Sequence, residues 1–394
     1  MRRAESFFLM SCLIVAVAAC SSEPGVSTGD AAMNSPIPLS PSIQVGDTLY
    51  ISGQGSWSEE IGGHPEGVGP ATRQVMLNLK KELDAGGYTF ADVVASHVWI
   101  TDLDKYTEMN SVYASFFESM YPTRTTVGVE ALPGGSQVEI SMIAVKGEKK
   151  VIYPAGAKPG RLPFSPGILV GDTLYLSGQA GVDPATGKLV IGDTPAHVAQ
   201  TMKNIRAVLQ AADMDFSNIV SAYLLLSNPK EFGIASKAYL KFITEDPKPA
   251  RVPLGAARLP LDSPVEITAI ASRRPLESFL PEGMGGSSSY SRGLKVGDEI
   301  YLAGVGAGAK QGSVAEQVDN CFERITAILA AKNMTNDDIV EVRIYLANID
   351  DYEAMNAAYR KHFSKRFPTR STVAVPELVV GLNMFMGFAA REPE

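Results

Sequence analysis

The sequence predicts an α+β protein made of three tandem domains, each of order ββαβαββ. Two observations carry this. First, a strand-like run recurs: Val45-Gly46-Asp47-Thr48-Leu49-Tyr50-Ile51-Ser52-Gly53-Gln54, then Val170-Gly171-Asp172-Thr173-Leu174-Tyr175-Leu176-Ser177-Gly178-Gln179, then Val296-Gly297-Asp298-Glu299-Ile300-Tyr301-Leu302-Ala303-Gly304. The offsets are 125 and 126 residues, the length of a whole domain and far too long for a solenoid unit. Second, each copy then passes through the same alternation of helical and strand-like periodicity before closing on two apolar strands.

Taken in order, the Gly-Asp step in each copy predicts a hairpin turn and the run after it a buried strand. A glycine-rich loop leads into an amphipathic helix. Its apolar stripe is Val75, Leu79 and Leu83 in the first copy, Val198, Met202, Ile205 and Leu209 in the second (with Thr194 as N-cap), and Cys321, Ile325 and Leu329 in the third. Cys321 therefore reads as a buried structural thiol. A strand is predicted at residues 93–101, 219–226 and 339–346, and a second helix at 106–120, 231–244 and 352–363. Breaks rich in Pro and Gly bound the domains at 37–150, 151–276 and 277–394.

Each copy ends on a charged motif. Pro122-Thr123-Arg124 precedes Leu132-Pro133 and Val138-Glu139-Ile140; Pro249-Ala250-Arg251 precedes Leu259-Pro260 and Val265-Glu266-Ile267. The third copy has Pro368-Thr369-Arg370, but Phe385 stands where the glutamate is expected. Strand alternation turns Glu139 and Glu266 away from their apolar neighbours. An arginine fixed on a strand suits bidentate capture of a carboxylate, and a lone carboxylate in an apolar strand suits proton handling. Either arginine and glutamate bridge each other within a copy, or they converge on a ligand; Arg370, persisting without a glutamate, favours the ligand. Ser52 and Ser177 either donate to that ligand or pack a strand end. Asn110 and Asn356, each fourteen residues before its arginine, either line the pocket or face solvent.

Composition narrows the function. The net charge is −8, which disfavours gripping phosphate backbones, and no basic patch with interleaved aromatics is present. The four histidines (His64, His97, His197, His362) lack metal-ligand spacing, and Cys12, Cys20 and Cys321 form no disulfide framework or zinc site. No metal or organic cofactor is implied. His97 and Trp99 share a strand face and read as packed core or interface. Gly304-Val305-Gly306-Ala307-Gly308-Ala309-Lys310-Gln311 lacks the Gly-Lys-[Ser/Thr] ending of a phosphate loop.

The N-terminus reads as a targeting segment: Arg2-Arg3, then a mostly apolar run from Phe7, ending Val17-Ala18-Ala19-Cys20. It resembles a bacterial lipoprotein signal, which implies cleavage of residues 1–19 and lipidation of Cys20. Residues 20–36 form a tether rich in Ser, Gly and Pro. Multiple acyl chains would hold the protein on the membrane. Ser21 after the cysteine resembles outer-membrane sorting, facing the periplasm.

The strand ending in Ser-Gly-Gln, the Pro-x-Arg run and the Leu-Pro…Val-Glu-Ile closure together resemble the Rid family (reactive intermediate deaminase, YjgF-type, also called endoribonuclease L-PSP), three times from residue 38 to 391. The resemblance implies chorismate-mutase-like domains, clefts between neighbouring subunits, and here an intrachain pseudo-trimer, in which tethering raises effective concentration. It implies that the arginines (Arg124, Arg251, Arg370) grip a substrate carboxylate and that Glu139 and Glu266 position the hydrolytic water. It also implies a tyrosine thirteen residues before the serine and the helix asparagine. The first copy has Ser52, Asn110, Arg124 and Glu139, with Leu39 for tyrosine and Thr126 for cysteine. The second has Ser177, Arg251 and Glu266, with Phe164, Ser236 and Pro253 at the tyrosine, asparagine and cysteine positions. The third has Tyr290, Asn356 and Arg370, with Ala303, Thr372 and Phe385 for serine, cysteine and glutamate. No copy is complete, and the expected function is hydrolysis of carboxylate-bearing imines or enamines to keto acids and ammonia. The alternative is a non-catalytic small-carboxylate binder or scaffold lipoprotein of the envelope.

Overall fold

The computed structural model describes residues 35–392, apart from 119, 158, 159, 161 and 308–311, together with Met33. The leader, Cys20, most of the tether and the end of the Gly304–Gln311 stretch lie outside the described residues.

The first domain comprises strands β1 (Ser42–Val45) and β2 (Thr48–Gln54), helix α1 (Val68–Ala85), β3 (Val93–Ile100), α2 (Tyr106–Ala114), β4 (Thr123–Gly128) and β5 (Val138–Val145). Val45 pairs with Thr48 across a two-residue turn, in which Gly46 has φ 54°. That left-handed conformation is open to glycine without a Cβ penalty. Val75, Leu79 and Leu83 of α1 are fully buried against the sheet, as their spacing predicts.

The second domain adds an edge strand, β6 (Lys149–Ile152), that pairs with β7 (Gly167–Val170) and so joins the second sheet. It continues with β8 (Thr173–Leu176), the short β9 (Gln179–Ala180), β10 (Val182–Asp183) and β11 (Lys188–Leu189), α3 (Thr194–Ala211), β12 (Ile219–Leu226), α4 (Phe232–Leu240), β13 (Ala250–Gly255) and β14 (Val265–Ser272). The third domain has β15 (Glu277–Phe279), β16 (Gly293–Val296), β17 (Glu299–Gly306), α5 (Val314–Ala330), β18 (Ile339–Leu346), α6 (Tyr352–Tyr359), β19 (Thr369–Ala374) and β20 (Met384–Arg391).

Three details differ from the sequence reading. The cap of α3 is Asp193, whose carboxylate accepts the Ala196 amide; Thr194 lies inside the helix and its hydroxyl bonds Glu231. The second helices end early. Helix α2 stops at Ala114, and Phe116 and Phe117 turn back to pack edge-on against Phe90. Most consequential is the strand order, β1-β2-β5-β3-β4. The arginine strand β4 runs parallel to β3, and the glutamate strand β5 lies on the other side of β3. The two closing strands of a domain are therefore not neighbours, and Arg124 and Glu139 are a full strand apart.

Each domain has its own core between sheet and helices, and Cys321 is fully buried in the third. The opposite sheet faces meet around a common axis. Trp99, Val127 and Leu132 of the first domain, Leu225, Leu254 and Leu259 of the second, and Tyr345, Val373 and Phe385 of the third pack as one apolar cluster. His97 lines a cavity with Tyr223 and Arg343. Backbone bonds repeat at the three seams. Ser165 N–H donates to Pro122 O at 3.0 Å, Ser40 N–H to Pro368 O at 3.1 Å, and Ser291 N–H to Pro249 O at 3.3 Å. The proline of each Pro-x-Arg run thus lies on a boundary between domains.

Candidate active site

Each arginine strand is the edge of its sheet, so its free side meets the next domain. At the first seam, Arg124 N–H donates to Ser177 Oγ at 2.8 Å and Gly178 N–H donates to Arg124 O at 3.0 Å. At the second, Arg370 N–H donates to Ser52 Oγ at 2.8 Å. The sequence left two roles for these serines, donation to the ligand or strand-end packing. Each hydroxyl has one proton, and it goes elsewhere: Ser177 donates to Ser165 O and Ser52 to Ser40 O, both at 2.6 Å. Ser52 and Ser177 are buried staples that hold the arginine strand and are positioning residues.

The seams re-sort the site residues. The first cleft joins Arg124 and Asn110 of domain one to Glu266, Ser177 and Phe164 of domain two. The second joins Arg370 and Asn356 of domain three to Glu139 and Ser52 of domain one. The third joins Arg251 and Ser236 of domain two to Tyr290, Ala303 and Phe385 of domain three. The electrostatic partner of Glu266 is Arg124, and that of Glu139 is Arg370. Tyr290, grouped by sequence with Arg370 and Asn356, lies instead with its ring centroid 5.8 Å from Arg251.

Within a cleft, one face of the second helix presents three residues at i, i+4 and i+7 to the arginine. Tyr106, Asn110 and Tyr113 do so in the first, with the guanidinium carbon 5.5 Å and 5.0 Å from the tyrosine rings and 5.4 Å from Phe164. Tyr352, Asn356 and Tyr359 do so in the second, at 5.6 Å and 5.1 Å from the rings. The cation–π contacts and a hydrogen bond from Nη2 to the Tyr106 (2.9 Å) or Tyr352 (3.2 Å) hydroxyl hold the fork in place. The sequence reading passed over these tyrosines, although their spacing around Asn110 and Asn356 on a predicted helix was a readable signal.

Both arginines are almost fully buried, yet part of their donor set is unused. Arg124 Nη1, and Arg370 Nε and Nη1, make no hydrogen bond within the protein, and neither do Asn110 Oδ1, Asn356 Oδ1, Glu139 Oε1, Thr126 Oγ1 and Thr372 Oγ1. Thr126 and Thr372 stand two residues after their arginines on the same strand face. Buried polar groups are nearly always paired, so this concentration of unpaired donors and acceptors fits a pocket for a polar ligand or ordered water.

The glutamates are tuned by the same burial. Burial pushes the Glu266 carboxyl up to about 8 against the pull of Arg124. Burial pushes Glu139 up to about 8 as well, against Arg370, the Thr372 amide and the Ser371 hydroxyl. Both are mostly protonated near neutrality and poised to exchange a proton there. The glycine of each Ser-Gly-Gln run makes room for them. A Cβ at Gly53 would strike the Glu139 carboxylate, and one at Gly178 the Glu266 carboxylate. At the third seam, Gly304 makes the same room for the Phe385 ring.

The endoribonuclease L-PSP family model matches the chain three times, over residues 30–146, 157–273 and 284–390. Bovine 2-iminobutanoate/2-iminopropanoate deaminase is 39% identical over 128 residues, 32% of this chain and 93% of the bovine protein. A RutC family protein of Saccharolobus solfataricus is 37% identical over 125 residues, 32% of this chain and 98% of that protein. Among solved structures, the YjgF gene product of E. coli is 28% identical, covers 31% of this chain and 98% of its own, and has a TM-score of 0.29. The three matches span well over half of the sequence, and the chain belongs to the endoribonuclease L-PSP (YjgF, Rid) family as three consecutive α+β domains.

Proposed function

We propose that this protein hydrolyses small carboxylate-bearing imines and enamines to keto acids and ammonia, at the first and second clefts. The observation that carries the reading is the convergence, across a domain seam, of a buried arginine with free donors, a helix asparagine and a carboxylic acid that titrates near neutrality. The family's relatives named for imine deamination support the reaction class.

In the first cleft, the free donors of Arg124 take the substrate carboxylate. Glu266, protonated, donates to the imine nitrogen and raises the electrophilicity of the imine carbon. The carboxylate so formed accepts a proton from water as its oxygen bonds that carbon, giving a carbinolamine. Transfer of that proton to the nitrogen and loss of ammonia leave the keto acid, and the hydroxyl proton returns Glu266 to its acid form. One water is consumed and one ammonia released. Arg370 and Glu139 repeat these roles in the second cleft, with Asn110 and Asn356 beside the respective substrates. The acidic chain speaks against a nuclease role.

The test is keto-acid release by the full chain from imino acids generated in situ by an amino-acid oxidase. Acceleration that survives Arg124→Ala or Arg370→Ala singly and disappears in the double variant supports the reading. A rate equal to spontaneous hydrolysis across several imino acids rejects it. The proposal extends to a lipid anchor at Cys20 that places the domains at the outer membrane, facing the periplasm; metabolic labelling with palmitate, lost in Cys20→Ser, is its check.

A further inference from the structure

The third cleft keeps the cation and has lost the acid. Arg251 is 5% exposed and sits 5.5 Å from both the Phe232 and Tyr239 rings and 5.8 Å from Tyr290. Its Nη1 donates to Ser236 Oγ at 2.9 Å, while its Nε is buried with no partner in the protein. Among the described residues, the glutamate that each of the other two clefts sets beside the guanidinium is missing: Phe385 occupies its position, packed over Gly304 and beside Val252. A second cation, Arg292, lies 5.9 Å from the other arginine's ring neighbour, Tyr290. The phenol rings of Tyr239 and Tyr290 are what face Arg251 there. A buried guanidinium without a carboxylate is costly and calls for an anion.

We infer that the third cleft is a non-catalytic binding site for a small monocarboxylate bearing an apolar or aromatic group. The carboxylate pairs with Arg251, and the apolar group takes the surface made by Phe232, Tyr290 and Phe385. Among the described residues no carboxylic acid stands there to pass a proton to or from a bound imine, so the occupant leaves unchanged. The inference shares with the proposed function the reading of the strand arginine as a carboxylate grip. It does not depend on turnover at the other two clefts.

Equilibrium dialysis of the full chain with labelled phenylacetate tests it, with imine turnover measured separately. The expected result is one saturable equivalent per chain, held at least tenfold tighter than acetate. That equivalent is retained in the Arg124→Gln/Arg370→Gln double variant and weakened at least tenfold in Arg251→Gln. Phe385→Glu should weaken it too, by setting a carboxylate against the ligand. The melting curve of each variant distinguishes lost binding from lost folding. Phenylacetate bound by Arg251→Gln but not by the double variant would overturn the inference, as would no saturable binding, or imine turnover in the double variant. Absence of turnover in the wild-type chain would sink the deaminase reading alone and leave the dialysis result standing.

Discussion

Glu266 faces Arg124 across a domain seam, and not Arg251, which precedes it by fifteen residues in its own domain. The charged pair that matters joins two copies of the repeat, because β3 and its counterparts separate the arginine strand from the glutamate strand within each copy.

Under the proposed function, two independent pairings predict two independent reactions. Glu266→Gln should remove the first cleft's share of keto-acid release and leave the second's, and Glu139→Gln the reverse. The double variant should fall by at least ~100-fold, the lower range for loss of a general acid–base. Mixed variants sharpen the test. Arg124→Ala with Glu266→Gln damages one cleft, whereas Arg124→Ala with Glu139→Gln damages both. Steady-state kcat on one imino acid reads the difference.

The raised carboxyls set a pH dependence with a definite sign. A carboxyl whose pKa climbs on folding from 4.5 to about 8 binds its proton more tightly in the folded chain. Its contribution to stability is complete below about 4.5 and is lost as pH rises toward 8. Thermal unfolding followed from pH 5 to pH 9 should therefore show a decline through this window that is shallower in Glu139→Gln and Glu266→Gln. Catalysis should fall over the same upper limb, as the acid form that donates to the imine nitrogen is depleted.

Gly178→Ala should clash with the Glu266 carboxylate and destabilise the protein by about 1–3 kcal/mol, the usual range for overpacking. The cause is specific, so Glu266→Ala should relieve much of the effect. A double-mutant cycle on denaturant unfolding should show coupling between the two positions.

Ser177→Ala removes a buried hydroxyl that accepts from Arg124 N–H and donates to Ser165 O. Stranding those backbone groups should cost about 1–3 kcal/mol. The guanidinium fork remains, but its strand loses an anchor. KM at the first cleft should rise more than kcat falls, in contrast to the Glu266→Gln variant, whose loss falls on kcat.

Much of this was legible in one dimension. The repeat and the ββαβαββ order followed from the recurring Val-Gly-Asp run and its apolar periodicity, the family from its resemblance in the Ser-Gly-Gln, Pro-x-Arg and Leu-Pro…Val-Glu-Ile motifs, and the Gly46 turn adopted the conformation that the Gly-Asp step demands. Arg124, Arg370, Glu139, Glu266, Asn110 and Asn356 were identified as the residues to watch. What the sequence could not convey was which faced which. A spacing of fifteen residues is the same whether a pair meets within a domain or each member meets a stranger, and strand order alone decides. The serines were left with two roles for a related reason: a hydroxyl's role depends on where its one proton goes, and Ser40 O and Ser165 O became visible only in three dimensions. The Tyr106 and Tyr352 cages were readable from their helical spacing to Asn110 and Asn356.

The order of the seams also bears on how the three copies came to differ. In an assembly of three identical chains, a substitution in the gene appears in every cleft. Here it appears in one, and each domain lends its arginine side to one cleft and its glutamate side to another. The departures from the Arg-Asn-Ser-Glu set are Ser236, Ala303 and Phe385. They belong to two different domains, yet all three fall at a single seam. The departures group by interface and not by gene segment. Divergence of this kind leaves only the first copy of the repeat with every member of that set, while two of the three clefts keep it whole.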